Sequence, residues 1–178
     1  HTCQAPIVEP DAIAAAVASD GAGALSRQAG GITAERLPGA ASAAGTKRYA
    51  ARFAERYASR GYRLLGATGL HASRIGFGGY RVDDAELMFA NALRKSLRDG
   101  CNLIDTSTNY TDGGSERMIG HVLAELIVGD ELARDEVIVV SKIGYVQGSN
   151  LKLAERRKQD GHAFAEMVEY MDGCWHCI

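Results

Sequence analysis

A carboxylate, a phenol and an amine, Asp105, Tyr110 and Lys142, stand where consecutive chain segments would deliver them to one spot. Asp105 ends the apolar run Asn102-Leu103-Ile104, and Lys142 ends the β-branched run Val137-Ile138-Val139-Val140-Ser141. Both runs are continuously apolar rather than alternating, the pattern of short parallel strands buried on both faces. Tyr110 lies five residues past Asp105, in a polar loop that runs from Thr106 to Gly114. Residues at the carboxyl ends of parallel strands, and in the loops that follow, converge on one face of a β/α protein. The chemistry that suits such a trio is proton transfer. A free phenol has a pKa near 10, and a neighbouring ammonium stabilises the phenolate left when its proton goes to a carbonyl oxygen. Asp105 would pair with Lys142 and hold it charged and oriented. A hydride would have to come from a cofactor, since no side chain supplies one. Singly, each residue has a plainer reading: a loop hydrogen-bonding carboxylate, a surface aromatic, a solvated strand terminus.

The elements that must position these residues follow from spacing. Tyr49, Phe53 and Tyr57 fall at i, i+4 and i+8 beside a stripe of Arg48, Arg52, Arg56 and Arg60, which predicts an amphipathic helix over Lys47 to Ser59 that stops at Gly61. Its basic stripe reads as a solvated face and its aromatic stripe as packing on the barrel wall. Tyr62 to Leu65 and Ala72 to Ile75 flank Gly66-Ala67-Thr68-Gly69, a hairpin with glycines at its turn. A first parallel strand is expected from about Arg74 to Phe77. Asp83 and Glu86 have capping-box spacing ahead of a helix with Leu87, Ala90, Leu93 and Leu97 on its apolar face, ending near Asp99-Gly100. Ser115 is expected to cap a second helix that buries Met118, Ile119, Val122, Leu123 and Leu126. The order hairpin, β, α, β, α, β is the opening of a β/α barrel. Tyr145 to about Asp160 reads as a long polar insertion, followed by a helix from His162 to Tyr170.

Composition bounds the rest. The 178 residues permit one ordinary domain, and 46% hydrophobic with 24% charged residues is normal for a soluble globular chain. A formal net charge of −2 argues against a nucleic-acid partner. No run approaches the roughly 18 apolar residues of a membrane span, and Ala12 to Ala18 is too short for a signal peptide, so no membrane and a cytoplasmic location are expected. Residues 1–46, rich in Ala and Gly, read as a mobile extension with a short helix at Asp11 to Ala18. Cys174 and Cys177 have C-x-x-C spacing, but no second Cys or His pair completes a zinc set. They read as ordinary loop thiols, with no metal.

Three strings in order carry a resemblance: Leu64-Leu65-Gly66-Ala67-Thr68-Gly69-Leu70 with Ser73-Arg74-Ile75-Gly76-Phe77-Gly78-Gly79-Tyr80; then Gly100-Cys101-Asn102-Leu103-Ile104-Asp105-Thr106-Ser107 with Tyr110, Gly114-Ser115-Glu116 and Gly120; then Arg134 through Gly144. Over roughly residues 62–144 the chain resembles the opening of an aldo-keto reductase. The resemblance implies an α/β fold, the N-terminal part of a (β/α)8 TIM barrel with its hairpin and about three βα units. The chain then divides into an extension (1–46), the amphipathic helix (47–61) and barrel (62–178), with the enlarged loop after strand three overhanging the site. It implies reduction of an aldehyde, ketone or sugar carbonyl, a small-molecule partner, with Asp105, Tyr110 and Lys142 catalytic. The implied cofactor is NADPH, with NADH as the alternative, beside Gly78, Gly79, Tyr80 and Asp105; Gly79 replaces a threonine often found there. The family's fourth catalytic residue, a histidine after the next barrel strand, has no match, since His162 and His176 follow no strand. The chain begins with His rather than Met and is read as a fragment, inactive alone. A non-enzymatic nucleotide-binding relative of the ion-channel regulatory type is the competing expectation.

Overall fold

The computed structural model describes residues 37–177, so the expected helix at Asp11 to Ala18 lies outside the described residues. Helix α1 (Ala43–Arg52) begins four residues ahead of the expected Lys47, because the Ser42 hydroxyl accepts the Gly45 N–H at 2.8 Å and satisfies an end group the helix cannot. Phe53 interrupts it, and α2 (Ala54–Tyr57) with a 3₁₀ turn at Ala58–Arg60 completes the course. The aromatic stripe packs ring on ring, Tyr49 tilted against Phe53 with centroids 5.2 Å apart and Phe53 stacked on Tyr57 at 6.3 Å. Tyr49 is 1% exposed and donates its hydroxyl to Leu97 O. The arginine stripe stays solvent-exposed as expected, but three of its members are also paired: Arg48 with Asp135 at 2.7 Å and Glu136 at 3.0 Å, Arg52 with Glu136 at 2.5 Å, Arg56 with Asp99 at 3.1 Å. These carboxylates lie far along the chain, which is why no local pattern announces them.

Strands β1 (Tyr62–Leu64) and β2 (His71–Ser73) form the expected antiparallel hairpin. Then come β3 (Phe77–Gly78), α3 (Leu87–Arg98), β4 (Leu103–Asp105), α4 (Gly114–Val128) and β5 (Ile138–Val140). The last three strands form one parallel sheet in the order β3-β4-β5. Leu93 and Leu97 of α3, Met118, Ile119, Val122, Leu123 and Leu126 of α4, and Ile104, Val137 and Ile138 of the sheet region make the core. Each such side chain contributes about 1.5–3 kcal/mol on burial.

Several local expectations change. Strand β3 starts only at Phe77, and Ile75 is 78% exposed. The Asp83–Glu86 box does not form; Asp83 instead accepts the Ala85 N–H at 2.9 Å, an Asx turn that competes with capping. Leu87, placed on the buried face by spacing, is the first helical residue and is exposed. Ser115 lies one residue inside α4, buried, while Gly113 occupies the N-cap position.

The largest correction follows Lys142. The chain forms β6 (Tyr145–Val146), α5 (Gly148–Gln159), β7 (Met167–Met171) and β8 (Cys174–Cys177). The insertion is therefore helical, and His162 to Tyr170 leads into a strand. Strands β6, β8 and β7 form an antiparallel sheet in that order, with Asp172-Gly173 at the tight turn and Gly173 at φ 69°. Cys174, a free thiol, and Cys177 thus sit on a strand rather than in a loop. Trp175 and Val146 are buried, and Lys158 of α5 lies 5.0 Å from the Trp175 ring. Among the described residues no helix is long and apolar enough to cross a membrane, and no group of three His, Cys, Asp or Glu side chains is arranged to hold a metal ion.

Candidate active site

Gly78, Asp105 and Val140 stand side by side across β3, β4 and β5. Partners in a parallel sheet share a face, and alternation puts this row opposite Ile104, which is buried under the helices. Lys142, two residues beyond Val140, continues the same side. Its Nζ donates to Asp105 Oδ1 at 2.7 Å and to Thr106 O at 2.8 Å, and it lies 4.7 Å from the centroid of the Tyr110 ring. The structure therefore brings Asp105, Tyr110 and Lys142 together. The hydrogen bond to Asp105, then that to Tyr110, holds the Lys142 ammonium above its ordinary pKa. With 49% and 47% side-chain exposure, the Asp105–Lys142 pair adds little stability; its consequence is orientation.

A frame of short bonds fixes this row. Gly79 N donates to Asp105 O at 2.7 Å and Thr106 N to Val140 O at 2.8 Å, extending the sheet one step past each strand end. Behind it, the buried Thr106 and Ser115 hydroxyls meet at 2.9 Å, tying β4 to the first turn of α4. Ser141 donates to Glu116 at 2.6 Å, so the residue preceding Lys142 is tied to the same turn. Sequence reasoning missed Thr106 and Glu116 and read Ser115 only as a cap. A hydroxyl directly after the strand-end Asp105, and another directly before Lys142, was the available signal.

The residues expected near a cofactor are placed unequally. Gly78 is exposed, and a Cβ there would meet nothing within 4 Å, so open space borders Asp105. At Gly79 a Cβ would lie 2.5 Å from Ser115 Oγ and 2.8 Å from Asp105 O. That glycine is needed for packing within the protein, which explains why the threonine of the resemblance does not stand there. Tyr80 is 67% exposed and meets the Tyr110 ring edge-on, centroids 5.3 Å apart. His176, on β8, packs against Tyr145 at 4.5 Å and Tyr170 at 4.9 Å, on a strand outside the parallel sheet.

The model of the aldo/keto reductase family matches residues 74–172, more than half of the chain. An L-galactose dehydrogenase of Arabidopsis thaliana is 32% identical over 122 residues, covering 65% of this chain and 37% of its own length. The chain thus spans little more than a third of that relative. A thermostable aldo-keto reductase crystallised with the inhibitor epalrestat superposes with a TM-score of 0.39 at 23% identity, over 45% of this chain and 30% of its own.

Proposed function

Because the chain belongs to the aldo/keto reductase family, we propose that it carries the proton-transfer half of an NAD(P)H-dependent carbonyl reduction, with Tyr110 as general acid. The observation that carries this reading is the position of the Lys142 ammonium, bonded to Asp105 Oδ1 at 2.7 Å and 4.7 Å from the Tyr110 ring. An aldehyde, ketone or sugar carbonyl would place its oxygen at the Tyr110 hydroxyl. As negative charge develops on that oxygen the phenol gives up its proton, and the Lys142 ammonium stabilises the phenolate that remains. Asp105 keeps Lys142 charged and directed, so that the compensating charge is in place before reaction rather than recruited during it.

The open space in front of Gly78 fits the flat ring of a nicotinamide, and the exposed Tyr80 ring offers an aromatic face beside it. NADPH, the reduced cofactor we favour over NADH, would supply the hydride there. Together with Asp105, Gly78, Gly79 and Tyr80 form the chain's contribution to holding it. The α/β unit is read as the opening hairpin and first three βα units of a (β/α)8 barrel, acting without metal in the cytoplasm.

Reversal uses the same groups: a Tyr110 phenolate accepts a proton from a substrate hydroxyl. The relative named as a dehydrogenase of L-galactose makes a sugar the favoured substrate class. The test is steady-state kinetics of the full-length protein with NADPH and NADH against aldehydes, ketones and aldoses, and with NADP⁺ against L-galactose. Turnover with at least one of these, lost on Tyr110→Phe, is expected. Cofactor binding without turnover would instead identify a nucleotide-binding relative.

A further inference from the structure

The turn that carries Tyr110 is left-handed. Thr111 (φ 48°, ψ 40°), Asp112 (φ 54°, ψ 45°) and Gly113 (φ 84°, ψ −6°) follow Tyr110 directly. Only Gly113 adopts that region freely; Asp tolerates it, and for a β-branched Thr it is an outlier. Such a conformation persists only where surrounding bonds impose it. Thr111 Oγ1 donates to Val82 O at 2.5 Å, and Arg117, itself held by Asp84 at 2.6 Å, donates to Asp112 O at 3.3 Å. These bonds attach the turn to the loop after β3 and to α4.

The remaining bonds reach in the other direction. Asp112 Oδ1 accepts from Ser149 N at 3.0 Å and from Ser149 Oγ at 3.0 Å, and Oδ2 accepts from Ser149 N at 3.3 Å. Ser149 is in the first turn of α5, whose own N-cap residue, Gln147, makes no side-chain cap. The end group that a local Ser or Asp would satisfy is satisfied by a carboxylate 37 residues earlier in the chain. A carboxylate at that end also complements the helix dipole. Gly148 allows the approach: it has φ 58°, and a Cβ there would collide with Asp112 Oδ1. Two unusual features, the left-handed turn and an α5 start without a local cap, are thus resolved by one side chain.

Resting on the assignment of Tyr110 as proton donor, we propose that Asp112 is the positioning residue of that donor. By capping α5 it locks the left-handed turn and holds the phenol against Lys142. The helix and hairpin after β5 thereby act on catalysis through the turn they anchor. Without the cap, Thr111 and Asp112 relax toward right-handed φ, and Tyr110, one residue before them, leaves its place 4.7 Å under the ammonium.

The test uses the full-length protein with NADPH and 4-nitrobenzaldehyde as the carbonyl probe. Asp112→Gly keeps access to positive φ but removes the cap, so it separates the cap from backbone preference. It is expected to lower kcat about 10- to 100-fold, leaving KM for NADPH and aldehyde within about twofold, as for a transition-state effect. Asp112→Asn, which tolerates the same φ and keeps Oδ1 as an acceptor, should restore most of the rate. Gly148→Ala displaces the carboxylate from the other side and should reproduce the loss, with the double variant Asp112→Gly/Gly148→Ala no worse than either single one. Peptide-resolved hydrogen exchange should show residues 108–115 and 147–155 losing protection together in Asp112→Gly and not in Asp112→Asn. Wild-type kcat in Asp112→Gly, or protection lost in only one of the two segments, overturns the inference. Loss of turnover in Tyr110→Phe alongside a wild-type Asp112→Gly rate would sink this inference alone. An active Tyr110→Phe would sink the assignment on which it rests.

Discussion

Lys142 carries three ammonium protons, and Asp105 and the Thr106 carbonyl take two of them at 2.7 and 2.8 Å, leaving the third for Tyr110. Removing either member of the Lys142–Tyr110 pair should therefore damage turnover with little change in packing, since both lie in the exposed mouth. Tyr110→Phe in the full-length protein is expected to lower kcat by about 10² to 10⁴ while NADPH affinity, read by fluorescence titration, stays within about threefold. Near-normal turnover would remove Tyr110 from the mechanism. Lys142→Met is expected to cost as much, and to raise the apparent pKa of the acidic group in the pH–rate profile, because a phenolate without its ammonium is disfavoured. An unchanged profile at full rate would make Lys142 a solvated strand terminus. That Asp105 and Lys142 would meet, with Tyr110 in the loop beside them, was legible because strand ends, and the loops that follow them, are local properties of an apolar run. Asp112 was not, since its partner lies beyond the next strand and nothing in Thr111-Asp112-Gly113 states what will face it.

Helix α1 shows how an element can be predicted and its fastening missed. Its aromatic period places Tyr49 in the core, as spacing implied, yet its charged stripe is fixed by Glu136, whose side chain is 4% exposed and also accepts the Ala133 N–H at 3.0 Å. Glu136→Ala removes the acceptor that Arg48, Arg52 and the Ala133 N–H share and should destabilise the protein by about 1–3 kcal/mol in urea unfolding. Arg48→Ala should cost well under half as much, because that guanidinium is 53% exposed and Arg52 remains. Since Glu136 precedes β5 and the site lies at the opposite strand end, kcat should hold in both variants. Equal losses would mean that the buried carboxylate is not the centre of the cluster. Element α5 was missed for a different reason. Leu151 to Gln159 is rich in good helix formers, but Ala154 is its one buried residue, so propensity rather than periodicity carried the signal.

At the scale of the molecule, ion-paired surface carboxylates give stability a modest acid dependence. Burial pushes the Asp84 carboxyl up, but the Arg117 hydrogen bond and charge outweigh it and leave it below its ordinary value; Asp99, Glu131 and Glu169 are lowered by Lys95 and Arg56, by Arg98 and by Lys158. Groups with a folded pKa below the unfolded one contribute stability that is complete above the ordinary carboxylate range and is lost as pH falls through the folded values. The urea midpoint should thus be level from neutrality to about pH 5 and fall below about pH 4. A midpoint that rises on acidification would contradict these pairs. The parallel sheet supplies a second expectation. Among the described residues β3 and β5 each have one neighbour, and exposed parallel edges invite pairing. The 178-residue chain made alone should self-associate in light scattering and show no NADPH oxidation. A monodisperse monomer that turns over carbonyl substrate would overturn that reading.

The sequence by itself determined the hairpin, the alternation of two helices with three parallel strands, and the strand end at which Asp105 stands; Lys142, expected to end β5, lies two residues beyond its end at Val140. All of these are set by short-range period, and burying continuous apolar runs under amphipathic helices leaves few alternatives. Tertiary structure decided the rest: which carboxylates answer the arginines of α1, that Ser115 takes the space a side chain at Gly79 would need, and that a left-handed turn after Tyr110 anchors α5. Each depends on groups dozens of residues apart whose meeting leaves no trace in the local sequence pattern. Their energy lies in distant hydrogen bonds and charges, to which sequence period is blind.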